Sequence, residues 1–204
     1  MKYEVEMKFP VAVLGALESR LAEFGADAGR PQTEIDVYYA HPARDFAQTD
    51  EALRIRRKGD ANFVTYKGPK LDAATKTRRE IELPLPPGEA TAPDWDGLLA
   101  ALGFRPVGEV RKSRRKAYVN WQDRRVEVSL DEVQGLGPFV ELELVVDDAE
   151  DGGIDAGRAR ILSLAAELGL TGGERRSYLE LLLAKRPSTT AVRPSPPRPP
   201  CGAC

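Results

Sequence analysis

The chain has 204 residues, of which 42% are hydrophobic and 30% are charged, and its formal net charge is −2. This length suffices for one good core or for a small two-domain protein. The near balance of 30 basic and 32 acidic residues argues against a protein that coats nucleic acid. No apolar run approaches the ~20 residues that span a bilayer, and the N-terminus lacks the pattern of a secretion signal. We therefore expect a cytoplasmic protein that binds neither membranes nor nucleic acids.

Strand-like alternation and helical spacing divide most of the chain into twelve predicted elements. In chain order these are a strand at 2–9, a helix at 10–24, strands at 33–40, 51–58, 62–68 and 76–83, a helix at 94–102, strands at 110–119, 124–132 and 139–146, and helices at 154–168 and 174–185. Gly59-Asp60 and Gln122-Asp123 predict tight turns between neighbouring strands. The Pro-rich segment 187–204 is predicted to be a disordered tail, and it contains Cys201 and Cys204, which cannot crosslink a core.

The first strand separates charge from apolar surface unusually sharply. Glu4, Glu6 and Lys8 share one face because alternate residues of a strand point the same way. The opposite face is wholly apolar. The same separation recurs on at least six segments, with acids and bases grouped. The further residues on charged faces are Arg54, Arg56, Lys67, Arg78, Glu80, Glu82, Lys112, Arg114, Glu127, Asp131, Glu141 and Glu143.

This pattern predicts where the charged faces point. Amphipathic helices must cover apolar surface, and the apolar strand faces are the only large candidate. If the sheet closes, the charged faces line its interior, which is wide enough in a barrel of about eight strands to hold one small ligand. Burying so many dry charges would cost several kcal/mol per ion, so the interior must be wet, internally paired or occupied by charged ligands. The alternative is an open sheet whose charged face is solvated.

The chemistry of such an interior favours a metal–triphosphate complex. Arg and Lys suit polyanionic phosphate, whereas Glu and Asp would repel it unless a divalent cation such as Mg²⁺ bridged them. His41 is the only histidine, and no Gly-x-x-x-x-Gly-Lys loop is present. Phosphoryl or nucleotidyl transfer by positioning and metal charge requires neither feature.

An ordered set of motifs resembles the CYTH domains, the triphosphate tunnel metalloenzymes. Glu4-Val-Glu6-Met-Lys8 is similar to their Glu-x-Glu-x-Lys signature. The motifs that follow it in order are Asp36-Val-Tyr38-Tyr39, Ala52-Leu-Arg-Ile-Arg56, Thr65-Tyr-Lys-Gly-Pro69, Arg78-Arg-Glu80-Ile-Glu82, Lys112-Ser-Arg114, Leu130-Asp131, Leu136-Gly-Pro-Phe-Val-Glu141-Leu-Glu143 and Ser177-Tyr178. The resemblance implies one tunnel domain over residues 1–186, with an α+β, mainly antiparallel fold that forms an eight-stranded closed barrel and carries its helices outside.

The resemblance also implies roles for individual residues. Glu4, Glu6 and Lys8 would be catalytic. The residues that would hold Mg²⁺ or Mn²⁺ are Glu4, Glu6, Asp131, Glu141 and Glu143. Those that would bind the triphosphate are Lys8, Arg54, Arg56, Lys67, Arg78, Lys112 and Arg114. Glu80, Glu82 and Glu127 would either join the site or form salt bridges with tunnel bases.

Three functions fit the resemblance. The motifs look most like the class IV adenylate cyclase branch, in which the 3′-hydroxyl of ATP attacks the α-phosphate and releases pyrophosphate and cyclic AMP. The alternative is a triphosphatase acting on inorganic triphosphate, thiamine triphosphate or a nucleoside triphosphate. A non-catalytic triphosphate or polyphosphate sensor is the third hypothesis, although pure phosphate binding would not need the paired carboxylates. Because barrels of this family are often dimeric, the resemblance also makes a homodimer an expectation to test.

Overall fold

A computed structural model describes residues 2–71, 75–89, 91–147 and 152–185 of the chain. Within these residues the chain forms eight strands and five helices. The strands are β1 (Lys2–Pro10), β2 (Gln32–Ala40), β3 (Ala52–Lys58), β4 (Ala61–Lys67), β5 (Glu80–Leu85), β6 (Arg105–Trp121), β7 (Arg124–Val133) and β8 (Gly137–Asp147). The helices are α1 (Gly15–Glu23), α2 (Phe46–Thr49), α3 (Thr91–Ala101), α4 (Gly153–Glu167) and α5 (Tyr178–Lys185).

All eight strands belong to one strongly curled antiparallel sheet in the order β1-β8-β7-β6-β2-β3-β4-β5. The predicted α+β, mainly antiparallel tunnel is thereby confirmed. The first and last strands of this order are joined through the segment before β5, where the backbones of Glu4 and Arg78 form an isolated bridge. The amide of Lys76 adds a hydrogen bond to the carbonyl of Glu6 at 2.9 Å. A short irregular segment, rather than a full ladder, therefore connects the two edges.

The apolar strand faces point outward and most of them are covered by helices, whereas Ile81 and Leu83 of β5 stay exposed. The largest core lies between α1, α4 and the outer faces of β1, β6, β7 and β8, and includes Val5, Leu21, Val128, Leu142 and Ile161. A second cluster joins α3 to β2, β3 and β5 around Ile55. A third packs α5 against β6 and β8 around Tyr178. Because most of the outer faces are covered in this way, the charged faces are left to line the interior.

Both predicted turns are confirmed. Gly59 has a φ of +57° and connects β3 to β4, where Lys58 pairs with Ala61. Gln122 and Asp123 both have positive φ, at 48° and 63°, between β6 and β7. Successive left-handed residues give the turn the twist that a two-residue hairpin requires.

Several predicted boundaries are wrong for local reasons. The first helix begins at Gly15, because Pro10 still pairs with Phe139 as the last residue of β1. The third helix begins at Thr91, so Asp94 lies in its first turn and is not its cap. The fifth strand begins at Glu80 rather than at residue 76, since the preceding segment leaves β4 to bridge β1.

The C-terminal helix also starts later than predicted. It begins at Tyr178 rather than at residue 174. Ser177 accepts a hydrogen bond from the amide of Glu180 at 3.1 Å, and the Glu180 carboxylate accepts one from the amide of Ser177 at 2.6 Å. This reciprocal pair is a capping box, which fixes the start of the helix. The short helix α2 was not predicted, and the tail at 187–204 lies outside the described residues.

Among the described helices, none has the length and apolar character needed to cross a membrane.

Candidate functional site

A cavity of about 920 Å³ runs into the curled sheet. All the site residues predicted from the sequence line it except Asp131, which lies fully buried behind the cavity surface. The volume is within the range of small-molecule sites, which is roughly 300–1,000 Å³. The curl of the sheet thus brings together charged faces that come from widely separated parts of the sequence.

Most of the acids and most of the bases lie on different strands around this cavity, with Lys8 on β1 and Glu80 and Glu82 on β5 as exceptions. We call the carboxylates on the adjacent strands β1, β8 and β7 the acidic wall, which comprises Glu4, Glu6, Glu141 and Glu143 at the cavity surface and Glu127 next to Glu143. We call the bases on β6, β3 and β4, together with the segment before β5, the basic wall, which comprises Lys112, Arg114, Arg54, Arg56, Lys67 and Arg78.

Asp36 of β2 holds two of the three arginines of β3, Arg54 and Arg56. Arg56 binds Asp36 through Nε at 2.7 Å and Nη2 at 2.8 Å, and Arg54 donates to the same carboxylate at 3.1 Å. Burial alone would raise the pKa of Asp36, but the two arginines lower it well below its usual range. Asp36 is therefore a fixed anion that orients both guanidinium groups toward the cavity.

Asp131 of β7 plays the same part for the bases of β6. Arg114 Nε donates to it at 2.6 Å, Lys112 at 3.2 Å, and the Tyr178 hydroxyl from α5 at 2.9 Å. Arg114 also contacts Glu141. The carboxylate of Asp131, predicted as a metal ligand, is thus occupied by three donors beneath Tyr178.

Glu34 is a third buried acid that, like Asp36 and Asp131, pairs with tunnel bases. It lies 3.4 Å from Lys112 and 3.4 Å from Arg56. Burial would raise the pKa of Glu34, but Lys112, Arg56 and Arg114 together lower it to about 2. Glu34 is ionised at neutral pH and joins the arginines of β3 to the bases of β6.

Lys67 of β4 pairs with two carboxylates from different strands. Lys67 lies 3.3 Å from Glu4 and also contacts Glu80. Burial would lower the pKa of Lys67, but these two carboxylates raise it. The sequence left the roles of Glu80, Glu82 and Glu127 open. Glu80 pairs with a tunnel base, Lys67. Glu127 also pairs with a base, since it lies 2.5 Å from Lys116. Glu82 instead accepts a hydrogen bond from Thr65 at 3.0 Å.

Lys8 and Arg78 differ from the other tunnel bases. In the described parts of the chain, neither has a carboxylate within 4.0 Å. Lys8 is 1% exposed, donates to the carbonyl of Arg176, and lies 4.1 Å from the centre of the Tyr178 ring. Burial, followed by the charge of Lys76, lowers the pKa of Lys8 to about 6. Burial therefore favours the neutral amine of Lys8 more than it does for an exposed lysine.

Among the described residues, Glu143 is the one member of the acidic wall with no basic side chain within 4.0 Å, whereas the other four carboxylates are each paired with a base. Glu143 pairs in register with Glu6 on one side and with Glu127 on the other, so three carboxylates form a row across three strands. Like charges directly opposite each other are destabilising. Burial, with Glu4 and Glu127 next in effect, raises the pKa of Glu143 to about 8, and burial likewise raises the pKa of Glu4.

These carboxylates fit a divalent cation. Oxygen donors of this kind are those that Mg²⁺ and Mn²⁺ prefer, and a bound cation would relieve the repulsion within the row. Across residues 2–71, 75–89, 91–147 and 152–185, however, no three acidic, histidine or cysteine side chains already converge as a metal-binding group. The ligand side chains would have to move together when a cation binds.

The sequence analysis missed three buried residues of the site. Glu34 and Asp36 alternate on β2, and Lys76 lies two residues before Arg78. The alternation that identified the other faces applied to all three residues. Lys76 is 4% exposed, and its Nζ lies 2.7 Å from Glu6 and 4.0 Å from Glu141.

Apolar and aromatic side chains also line the cavity, and we call them the vestibule. We define the vestibule by His41, Phe46, Val107, Leu179 and Leu183. The His41 ring packs on Phe46 with centroids 5.4 Å apart, and its Nδ1 accepts two backbone hydrogen bonds at 3.0 Å. The loop before β3 and helix α5 therefore provide an aromatic and aliphatic lining beside the charged interior.

The family model described as the CYTH domain matches residues 2–178. The chain belongs to the CYTH domain family. Members of this family are adenylate cyclases or triphosphatases that act on triphosphates and use a divalent metal.

Similar proteins cover nearly the same length as this CYTH chain. A Methanocaldococcus jannaschii protein named "Putative adenylate cyclase MJ0240" is 34% identical over 180 residues, which are 87% of this chain and 97% of the relative. The adenylate cyclase CyaB of Aeromonas hydrophila is 26% identical over 185 residues, which are 88% of each. The solved structure of the PH1819 protein from Pyrococcus horikoshii has 42% identity and a TM-score of 0.78, and the match covers 90% of this chain and 99% of that one.

Proposed function

We propose that this chain is a metal-dependent adenylate cyclase that converts ATP to cyclic AMP and pyrophosphate. The observation that carries the proposal is the joining of the charged tunnel to the apolar vestibule in one cavity. Inorganic triphosphate has no apolar part to bury there, whereas a nucleoside does. The names of the two adenylate cyclase relatives support the same choice.

The walls suggest how the substrate lies. The triphosphate would bind the basic wall, where Asp36 and Asp131 already hold the arginines in place. Fixed donors need little reorganisation when a negatively charged ligand arrives. Lys8 and Arg78, which have no carboxylate partner in the described residues, would add two further contacts. The base and ribose would then extend into the vestibule, toward Phe46 and Leu183.

The acidic wall would hold Mg²⁺ or Mn²⁺ through Glu4, Glu6, Glu141 and Glu143. Asp131 is the fifth predicted metal ligand. It is bound by Arg114 and Lys112 and would join the acidic wall to these two bases. When bound, a divalent ion supplies positive charge that stabilises the attacking and leaving oxygens.

The residues of the chain would perform the proton transfer. The 3′-oxygen attacks the α-phosphorus, the bond between the α-phosphorus and the bridging oxygen breaks, and pyrophosphate leaves. Lys8 would accept the proton of the 3′-hydroxyl, because burial lowers its pKa and so favours the neutral amine that a general base requires.

Product analysis tests the proposal directly. The purified chain is incubated with ATP, inorganic triphosphate or thiamine triphosphate, each with Mg²⁺ or Mn²⁺ and with EDTA. Cyclic AMP and pyrophosphate from ATP are the expected products. Orthophosphate without cyclic AMP would instead assign a triphosphatase, and metal-independent binding without turnover would indicate a sensor.

The Glu6→Gln variant tests the metal ligands. It should abolish turnover while preserving the circular dichroism spectrum, because the amide keeps the shape of the side chain but loses the charge. Glu132→Gln is the matched control, since Glu132 is exposed on the same sheet. Activity retained in Glu6→Gln would remove Glu6 from the metal set.

A further inference from the structure

The strongest unassigned feature is the ammonium group of Lys76 in the acidic wall. The residue lies in the irregular segment that connects the two edges of the sheet. Its backbone amide bonds to the carbonyl of Glu6, and its side chain returns to the carboxylate of the same residue at 2.7 Å. Glu141, from the neighbouring strand β8, lies 4.0 Å from the same Nζ.

The position of Lys76 coincides with that of the proposed metal ligands. Among the described residues, Lys76 is the only cation within 4.0 Å of Glu6, and the anions near Lys76 both belong to the proposed metal set. Arg56 offers a contrast, because its acids Glu34 and Asp36 are outside that set. A cation that binds Glu6 and Glu141 must therefore take the partners of Lys76.

We propose that Lys76 occupies the metal site of the free protein as an internal cation, and that a divalent ion displaces it toward the triphosphate. This inference rests on the metal ligands of the proposed function. A buried charge that loses its partner is strongly unfavourable, so the displaced ammonium needs a new anion. Lys76 lines the same cavity as the basic wall, and its flexible four-carbon stem lets the ammonium turn toward a bound phosphate.

The consequence is coupling between metal and substrate. The metal alone would bind weakly, because it must leave Lys76 unpaired. A bound triphosphate gives Lys76 a partner and thereby favours the metal, and the metal favours the triphosphate by the same factor. Lys76 would therefore delay assembly of the metal centre until a triphosphate is present.

The test measures Mn²⁺ binding without any turnover. The full chain and its Lys76→Met variant are titrated with Mn²⁺ alone and followed by electron paramagnetic resonance of free Mn²⁺. We expect Mn²⁺ to bind the variant at least tenfold more tightly than the parent. In the presence of Mn²⁺, non-hydrolysable imidotriphosphate should bind the variant at least tenfold more weakly. Lys70→Met is the matched control, because Lys70 pairs with Asp50 at 2.6 Å and neither residue belongs to the metal set.

Equal or weaker Mn²⁺ binding by Lys76→Met would overturn the proposal. A second variant, Lys76→Arg, keeps the positive charge and guards against a neutral variant that does not fold. Its guanidinium binds carboxylates in a fixed fork, so Mn²⁺ should bind it no more tightly than the parent, and tighter binding would overturn the proposal as well. Because these titrations detect no product, absence of cyclic AMP in the activity assay would refute the cyclase reaction without affecting this result.

Discussion

Replacing Glu143 by Gln should stabilise the metal-free protein. Glu143 is the middle member of a row of three carboxylates, between Glu6 and Glu127. Its ordinary pKa of 4.5 is raised to about 8 by burial and by the neighbouring carboxylates. The folded protein therefore retains a proton on this group that the unfolded chain releases. Gln has the same shape, carries no charge and does not titrate.

The pKa of Glu143 sets the size and sign of the effect. Between pH 4.5 and pH 8 the native state binds more protons than the unfolded state, so stability is lost as the pH rises through this window. Each pH unit costs about 1.4 kcal/mol, which amounts to roughly 3 kcal/mol at pH 7. Because the side chain keeps some exposure to the cavity, we expect about 2–3 kcal/mol, or roughly 5–10 °C in Tm.

Urea unfolding in EDTA at pH 5, 7 and 8 measures this effect. The difference in unfolding free energy between Glu143→Gln and the parent should be small at pH 5 and should increase to pH 8. Glu132→Gln, on the exposed side of β7, should show no such trend. A difference that does not change with pH, or a parent that is more stable than Glu143→Gln at pH 7, would refute the idea that Glu143 lacks a counter-charge.

Two other substitutions test the packing that holds the site. Asp131→Asn should lower the unfolding free energy by about 3 kcal/mol, because Arg114 loses a fully buried counter-charge. A loss below ~1 kcal/mol in urea unfolding would contradict this expectation. Gly157→Ala should lower the unfolding free energy by about 1–3 kcal/mol, because the added Cβ would lie 2.7 Å from a methyl group of Val146. Gly97→Ala in α3 is the control, because its Cβ would meet nothing within 4 Å and should raise the unfolding free energy by about 0.5–1 kcal/mol. Thermal unfolding that ranks the two alanine variants in the opposite order would refute the close approach of α4 to β8.

The sequence was sufficient to predict which faces line the cavity. Side chains two residues apart in a strand share a face whatever the strand's neighbours are. Glu4, Glu6 and Lys8 could therefore be placed on one face before any partner strand was known. The two tight turns could be predicted for a similar reason, because their conformations depend on residues next to each other in the chain.

Pairing across strands could not be predicted in the same way. The repulsion between Glu6 and Glu143 depends on β1 lying beside β8 in one particular register. Likewise, Asp131 and Glu127 share a face of β7, but the donors that surround Asp131 come from β6 and from Tyr178, 47 residues further along the chain. The irregular segment at Lys76 has strand-like alternation, but its hydrogen bonds are to β1, so local pattern alone misplaced the start of β5.

The near-neutral net charge does not show how unevenly the acids and bases are distributed around the tunnel. In the observed strand order, β1, β8 and β7 carry most of the acids, whereas β6, β3 and β4 carry most of the bases. Many of these groups pair across the cavity, but Glu143 and Arg78 have no oppositely charged side chain within 4.0 Å among the described residues. Glu34 and Asp36 on β2 then fix bases on both sides of that strand. A cation that bound beside Glu143 and a polyanion that bound beside Arg78 would each supply a partner that the described side chains do not.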